Sequence, residues 1–300
     1  MQAAAEPVPP PSAGDDAAAR FPVHAWRPAL RLLAAAAQVL SAGNLLYLVA
    51  LSLLGILEGY DVLSPLDMLL RLGVFSLLPT VLAWLLGRFT SAILVVEPTR
   101  LVLEPRGVRF EIPRESITGV EPWRLPLPGA GIALRMKSGR LFEYSLQVPN
   151  PTALLTALGA TLPSATAAAS HPSSRFGQAR HDWRPRFFDK PAFKFGLFPL
   201  LPTGVMFRAH QIITYGGAFG EYDALGLGPY LKTFAGYWIG FTTGLLLFAC
   251  FWRLLAEALA FPLTWLLPTH ARGIRLAMEW LCRLVYYVGF PALMAQRFLG

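Results

Sequence analysis

Two long apolar runs, a stretch of alternating apolar and polar residues, and further apolar runs follow one another along the chain. The first apolar run extends from about Leu32 to Leu57 and is broken only by Gln38, Ser41, Asn44 and Ser52. At about 1.5 Å per residue, a helix of that length crosses a hydrocarbon core of about 30 Å with some tilt. The second run, about Leu66 to Leu86, ends at Arg88 and contains Arg71 and a kinking Pro79. Between them the turn EGYDVLSP carries Glu58 and Asp61 and no Lys or Arg. Residues 28–90 are therefore expected to form a transmembrane helical hairpin. Arg20, Arg27 and Arg31 precede it, which places the N-terminal side in the cytoplasm and the turn outside.

From residue 91 the period changes. RLVLE (100–104) alternates, Pro105-Arg106-Gly107 punctuates, and VRFEI (108–112) alternates again, as half-buried strands joined by a tight turn do. A third strand is expected around Ser116–Glu121. IALRMK (132–137) and RLFEYSL (140–146), joined by Ser138-Gly139, read as a second hairpin. Asn150 and Pro151 suit the cap and first position of a helix over PTALLTALGA (151–160). Leu154, Leu155 and Leu158 share one face of it.

The segments LVLEPRGVRFEIPRESITGVE, IALRMKSGRLFEY and the closing helix PTALLTALGA together resemble a bacterial pleckstrin-homology (PH)-like domain, over residues 91–160. The resemblance implies a small, strongly bent antiparallel β-barrel capped by one helix and placed after a membrane hairpin. Phosphoinositide-binding members of that family use a basic cluster around the first hairpin loop. Here the loop offers Arg106 and Arg109, with Arg100 upstream, and Glu104 and Glu111 interrupt them, so headgroup recognition in that style is not expected.

Outside this module, residues 1–27 are rich in Ala, Pro and Asp and read as a disordered tail. Residues 161–180 are rich in small residues and read as a linker, with His171 exposed in it. The linker region, 161–194, ends in an aromatic-basic segment. There Arg180, Trp183, Arg184, Arg186, Phe187, Phe188, Lys190 and Lys194 suit the headgroup layer and are candidate contacts to lipid or a partner. Residues 195–300 read as a second membrane domain. It is expected to hold a broken or re-entrant segment at 195–219, interrupted by Pro199 and Pro202, and spans at Phe234–Trp252 and about Leu276–Ala295. The fold class is thus an α+β membrane protein with four simple helical spans, a fifth broken one, and the PH-like barrel inserted after the first hairpin.

Composition sharpens this reading. The chain is 54% hydrophobic and 15% charged, against roughly 25% charged in soluble domains. More than half of its 26 Lys and Arg residues lie between Arg88 and Lys194, which places that stretch on the cytoplasmic side. The resemblance to bacterial PH-like domains implies the bacterial inner membrane as the location. The formal charge of +8 is matched to anionic membrane lipid; nucleic acid is not expected as a partner, because no dense basic run accompanies a reading motif. Arg253 and Glu257, and Glu279 and Arg283, are four apart, so each pair shares a helix face and is a candidate intramembrane charge pair. Cys250 and Cys282 lack metal-ligand spacing, and the five histidines are scattered. No catalytic, metal or cofactor site is expected. The expected function is a non-enzymatic membrane scaffold acting with a membrane-protein partner or a second copy of itself. A transporter subunit and a membrane enzyme are the alternatives.

Overall fold

The computed structural model describes residues 19–58, 65–105, 107–160 and 162–299. The turn expected around Asp61, and Arg106 of the first strand loop, lie outside the described residues. The chain is a mixed α+β protein of two compact units, one holding residues up to Gln38 and Val81–Gln178, the other Val39–Thr80 and Ala179–Gly300.

The first unit is built on a seven-stranded antiparallel half-barrel. Its strands are β1 (Ala19–Trp26), β2 (Ser91–Val96), β3 (Arg100–Pro105), β4 (Phe110–Pro113), β5 (Ile117–Pro122), β6 (Gly131–Met136) and β7 (Ser145–Gln147), in the order β4-β3-β2-β1-β7-β6-β5. The alternating segments of the sequence supply β3 to β6 as expected. The central strand does not come from the alternating region. Residues 19–26, expected within a disordered tail, form β1, which pairs with β2 from Ala19↔Val96 to His24↔Ser91 and with β7 from His24↔Gln147 to Trp26↔Ser145. Val23 and Ala25 are buried in the sheet's core and Trp26 on the opposite face with Trp123, which accounts for the order of β1.

This corrects the expected arrangement. The half-barrel does not simply follow the helical hairpin; the hairpin is inserted between the first two strands of the sheet. β1 runs into α1 (Pro28–Glu58). After α2 (Pro65–Leu72), a π-turn and α3 (Leu78–Phe89), the chain returns directly to β2. The junction is tight. Ala25 N–H donates to Thr90 O at 2.7 Å, and His24 Nδ1 lies 2.8 Å from Gly87 O. Trp26 and Trp123 are buried with Ala34 of α1, and Leu30 and Leu86 pack against them.

The sheet's concave side holds the core, with Leu94, Leu101, Leu103, Leu134 and Leu146 all buried. α4 (Pro151–Gly159) closes it with Leu154, Leu155 and Leu158 buried, and the Asn150 side chain accepts the Ala153 N–H at 3.2 Å, as the cap signature predicts. Residues 161–180, expected as a linker, instead contain α5 (Pro163–Ser170) and the greater part of α6 (Pro172–Asp182). Both begin on a proline, where no N–H is needed, and the alanine run of α5 favours helix. Ala165 and Ala168 enter the same core, and Ser164 Oγ accepts the Val120 N–H at 3.1 Å. At Gly177 of α6 an added Cβ would fall 2.3 Å from the Ala130 Cβ, so only glycine permits this close approach.

The second unit is helical. It includes α7 (Leu200–Tyr215), α8 (Gly220–Leu225), α9 (Leu227–Leu266), α10 (Ala271–Leu284) and α11 (Phe290–Leu299), together with the middle of the hairpin. Among the described residues, three helices are long and apolar enough to cross a membrane: Pro28–Ser52, Leu70–Phe89 and Leu227–Leu266. That is one fewer than the four simple spans expected. Leu276–Ala295 is not among the three, because Glu279 and Arg283 interrupt its apolar character. The expected broken span at 195–219 is also corrected. It is not among the three either: the π-turn Ala192–Leu197 gives way at Phe198-Pro199 to α7, which is only 16 residues long.

Three π-turns, Gly73–Leu77, Ala192–Leu197 and Val285–Gly289, each end two residues before a proline: Pro79, Pro199 and Pro291. A proline has no N–H for the carbonyl four residues back and crowds it, and a widened turn relieves that crowding. Within the hairpin, Ser41 and Ser76 are buried and Asn44 is half-buried. Asn44 Nδ2 donates to Ser76 Oγ at 2.8 Å and to Arg71 O at 3.2 Å, and Ser41 Oγ donates to Ser76 O at 3.0 Å. Leu77, Leu78 and Trp84 are exposed.

Candidate functional site

Several ionisable residues of α9 and α10 converge on one cluster. On α10, Arg275, Glu279 and Arg283 recur at a spacing of four, which aligns them on one face. All three are buried, while Leu276, Trp280 and Leu284 of the same helix are exposed. α9 presents Arg253 and Glu257 to that face.

Four of these side chains form a closed ring. Arg253 contacts Glu257 at 3.1 Å and Glu279 at 2.5 Å; Arg275 contacts Glu257 at 2.7 Å and Glu279 at 2.7 Å. Each carboxylate accepts from two guanidinium groups, so burial leaves no acid uncompensated. The expected pair Arg253–Glu257 is therefore present. The expected pair Glu279–Arg283 is not: Glu279 is taken by Arg253 and Arg275, and Arg283 turns to Asp189. There its Nε donates to Oδ1 at 3.0 Å and its Nη2 to Oδ2 at 2.5 Å, the two-pronged geometry that a guanidinium offers a carboxylate.

Asp189 lies in the aromatic-basic segment. Burial alone would raise its pKa. The Arg283 hydrogen bonds, the Arg186 backbone N–H at 2.8 Å, and the charges of Arg283 and Lys194 outweigh burial and hold it below the ordinary carboxylate value. The segment's other members divide. Trp183 stacks on the Arg283 guanidinium at 4.9 Å, and Trp280 does so at 5.1 Å; Arg186 in turn lies 5.2 Å from the Trp280 ring. Phe187 and Phe188 are exposed and pack with Phe193, and Lys190 lies over Phe187 at 5.7 Å. Arg180 and Arg184 are exposed. Lys194 is half-buried. Its ammonium rests 4.6 Å from the Tyr286 ring and 5.5 Å from the Phe195 ring, and burial pushes its pKa down.

These groups border a cavity of about 510 Å³ whose wall includes Lys194, Arg253, Arg283, Asp189, Glu279 and Trp252. Cys250 and Cys282 also line it as free thiols. Two residues essential to this arrangement, Asp189 and Arg275, are not among the sequence candidates. The spacing of Arg275, Glu279 and Arg283 held a signal for the second. Nothing local marks Asp189, whose partner is 94 residues away.

In the first unit, the described basic residues near the first strand loop, Arg100 and Arg109, are paired with acids. Arg100 pairs with Glu97 at 2.6 Å and Glu111 at 2.8 Å, and Arg109 pairs with Glu111 at 3.1 Å and Glu104 at 3.6 Å. Among the described residues no group of three or more His, Cys, Asp or Glu side chains is placed to hold a metal ion. Compared with protein-family models, with curated proteins and with solved structures, the chain matches none.

Proposed function

We propose that this protein is a non-enzymatic scaffold of the bacterial inner membrane that presents a PH-like half-barrel on the cytoplasmic side to a membrane-protein partner or a second copy of itself. The observation that carries this reading is the insertion of the helical hairpin between β1 and β2. Strand pairing from Ala19↔Val96 to His24↔Ser91 ties both ends of the hairpin into one sheet. The first turns of α1 and the last turns of α3 share a compact unit with that sheet. Two connections, one from each of β1 and β2 directly into an apolar helix, join the half-barrel to the hairpin. Such mounting suits a module that offers a surface to a neighbour in the same membrane.

The membrane location draws support from where polarity is buried. In water a helix buries its apolar face. α10 does the reverse, hiding Arg275, Glu279 and Arg283 and exposing Leu276, Trp280 and Leu284. The hairpin likewise hides Ser41 and Ser76 and exposes Leu32, Leu78 and Trp84. The concentration of Lys and Arg between Arg88 and Lys194 favours the cytoplasmic side for the half-barrel. The ion pairs of Arg100 and Arg109 leave little free positive charge there for a phosphorylated headgroup, which favours protein over lipid as its ligand.

The test is affinity purification in a mild detergent of the full chain and of a chain lacking both residues 19–26 and 91–160, with mass spectrometry of what is retained. A protein, or a second copy, held in stoichiometric amount by the full chain and lost with the half-barrel is the expected result. A folded, partner-free and monomeric full chain overturns the scaffold reading.

A further inference from the structure

The charged cavity of the second unit contains more hydrogen-bond donors than its own acceptors use. Its two carboxylates are committed, Asp189 to Arg283 and the Arg186 backbone, and Glu279 to Arg253 and Arg275. Arg283 is more than nine-tenths buried and lines the cavity, yet its Nη1 has no hydrogen-bond partner. Trp252 also lines it, and its Nε1 is buried without a partner. Lys194 lines it as well and holds its ammonium against aromatic rings instead of a carboxylate. Three cations face two carboxylates in this wall. Orphaned buried donors cost free energy, and an arrangement of donors with surplus positive charge and no spare acceptor is complementary to an anion.

An apolar groove neighbours the cavity, with Phe198 between them. Phe198 packs its ring 5.3 Å from Tyr286 and 4.9 Å from Tyr287, both in the cavity wall. On its other side Phe198 helps line a groove of about 430 Å³ with Leu201, Val205, Met206, Phe290 and Met294. The same two stretches of chain run along both: Lys194 and Phe195 lead to Leu201 and Met206, as Arg283 and Tyr286 lead to Phe290 and Met294. A free phosphate uses only the first compartment. A ligand with an anionic head and a hydrocarbon tail uses both.

The geometry points to a binding site for one anionic phospholipid, its phosphate held by Lys194 against the wall formed by Arg283 and Trp252, and an acyl chain lying in the groove beside Phe198 and Met294. This site is separate from the half-barrel and does not depend on the scaffold reading. It depends only on the chain residing among lipids. The α9–α10 charge ring then acts as the fixed base of the site, since Arg253 and Glu279 belong to both.

The full chain in a non-ionic detergent is titrated separately with phosphatidylglycerol, phosphatidylcholine and inorganic phosphate, and bound ligand is counted by native mass spectrometry. One phosphatidylglycerol is expected to bind about tenfold or more tighter than phosphatidylcholine, with no saturable binding of phosphate over the same range. Lys194→Met and Trp252→Phe keep the packing and remove a donor each; each is expected to weaken phosphatidylglycerol by about three- to tenfold. Met294→Trp fills the groove and should weaken both lipids while preserving their ratio. Arg283→Met is avoided because it strands Asp189. Equal binding of the two lipids overturns the site. So does a phosphatidylglycerol preference that survives both donor substitutions in proteins with unchanged melting temperature. Phosphate binding as tight as that of phosphatidylglycerol overturns the lipid assignment and leaves a free-anion site.

Discussion

The guanidinium of Arg31 lies flat against the indole of Trp123, 3.5 Å from the ring centroid. Arg31 belongs to the first turn of α1, and Trp123 follows the edge strand β5, so this contact fastens the start of α1 to the end of β5. Its Nε and Nη2 also donate to Leu127 O at 3.2 Å and Leu125 O at 3.4 Å. Arg31→Met is expected to lower stability by about 1–2 kcal/mol through loss of the stacked cation and these bonds. Combined with Trp123→Leu, the loss should fall short of the sum of the single losses, because the two side chains act on each other. Thermal unfolding of all three variants in one detergent checks this; strict additivity would remove the contact from the account.

The polar contacts within the hairpin make a second prediction. Asn44 reaches both Ser76 Oγ and Arg71 O across the helix pair. In an apolar medium such bonds contribute about 0.6–1.7 kcal/mol each. Asn44→Leu should therefore destabilise the hairpin by roughly that amount despite raising its hydrophobicity. Steric trapping or thermal unfolding in bilayer nanodiscs would read the effect. A stabilised variant would mean that the apolar surroundings, and not the bonds, set the hairpin's stability.

The sequence was most legible where structure is local. β3, β4, β5 and β6 follow from period-two alternation, and Asn150 announces α4 with its cap. What was not legible is pairing at a distance. β1 contains Pro22, has no hairpin partner next to it, and meets its neighbours at β2 and β7 only through the fold. Small residues hid α5 and α6, because Ala, Ser and Pro compose linkers and tightly packed helices alike. The site shows the same division. The four-residue spacing pointed correctly to Arg253–Glu257, but for Glu279 and Arg283 contacts between elements prevailed, since Arg253, Arg275 and Asp189 offer better geometry than a neighbour on the same helix.

The charge ring predicts strong non-additivity. Arg275 is the most buried of its cations, with 6% of its side chain exposed against 43% for Arg253. Arg275→Met leaves Glu257 and Glu279 facing one guanidinium and should cost about 3–5 kcal/mol. Adding Glu279→Met removes the surplus acid and leaves the Arg253–Glu257 pair of one helix, so the double variant should be more stable than the single one. Unfolding midpoints in the same detergent compare them. A single substitution as mild as a surface change would show that the ring contributes little.

A pH dependence follows from the junction of α5 and α6. The Ser173 N–H donates to His171 Nδ1 at 3.2 Å, so the imidazole caps the first turn of α6 and must keep Nδ1 unprotonated to do so. Burial lowers the pKa of His171 below its ordinary value. The unfolded chain then binds the proton more readily than the folded one, and stability rises with pH across that interval. The contribution is present in full above the ordinary histidine value of about 6.5 and is lost as pH falls through the lower folded value. Protonation also removes the acceptor from the Ser173 N–H. Exchange of the Ser173 and Ser174 amides should accordingly speed up as the pH falls below the ordinary histidine value, beyond the intrinsic dependence of exchange on pH. His171→Asn retains a capping oxygen without a titratable group and should abolish that excess. Equal profiles for the two proteins would show that His171 stays neutral for reasons unrelated to the cap, or that α6 is held without it.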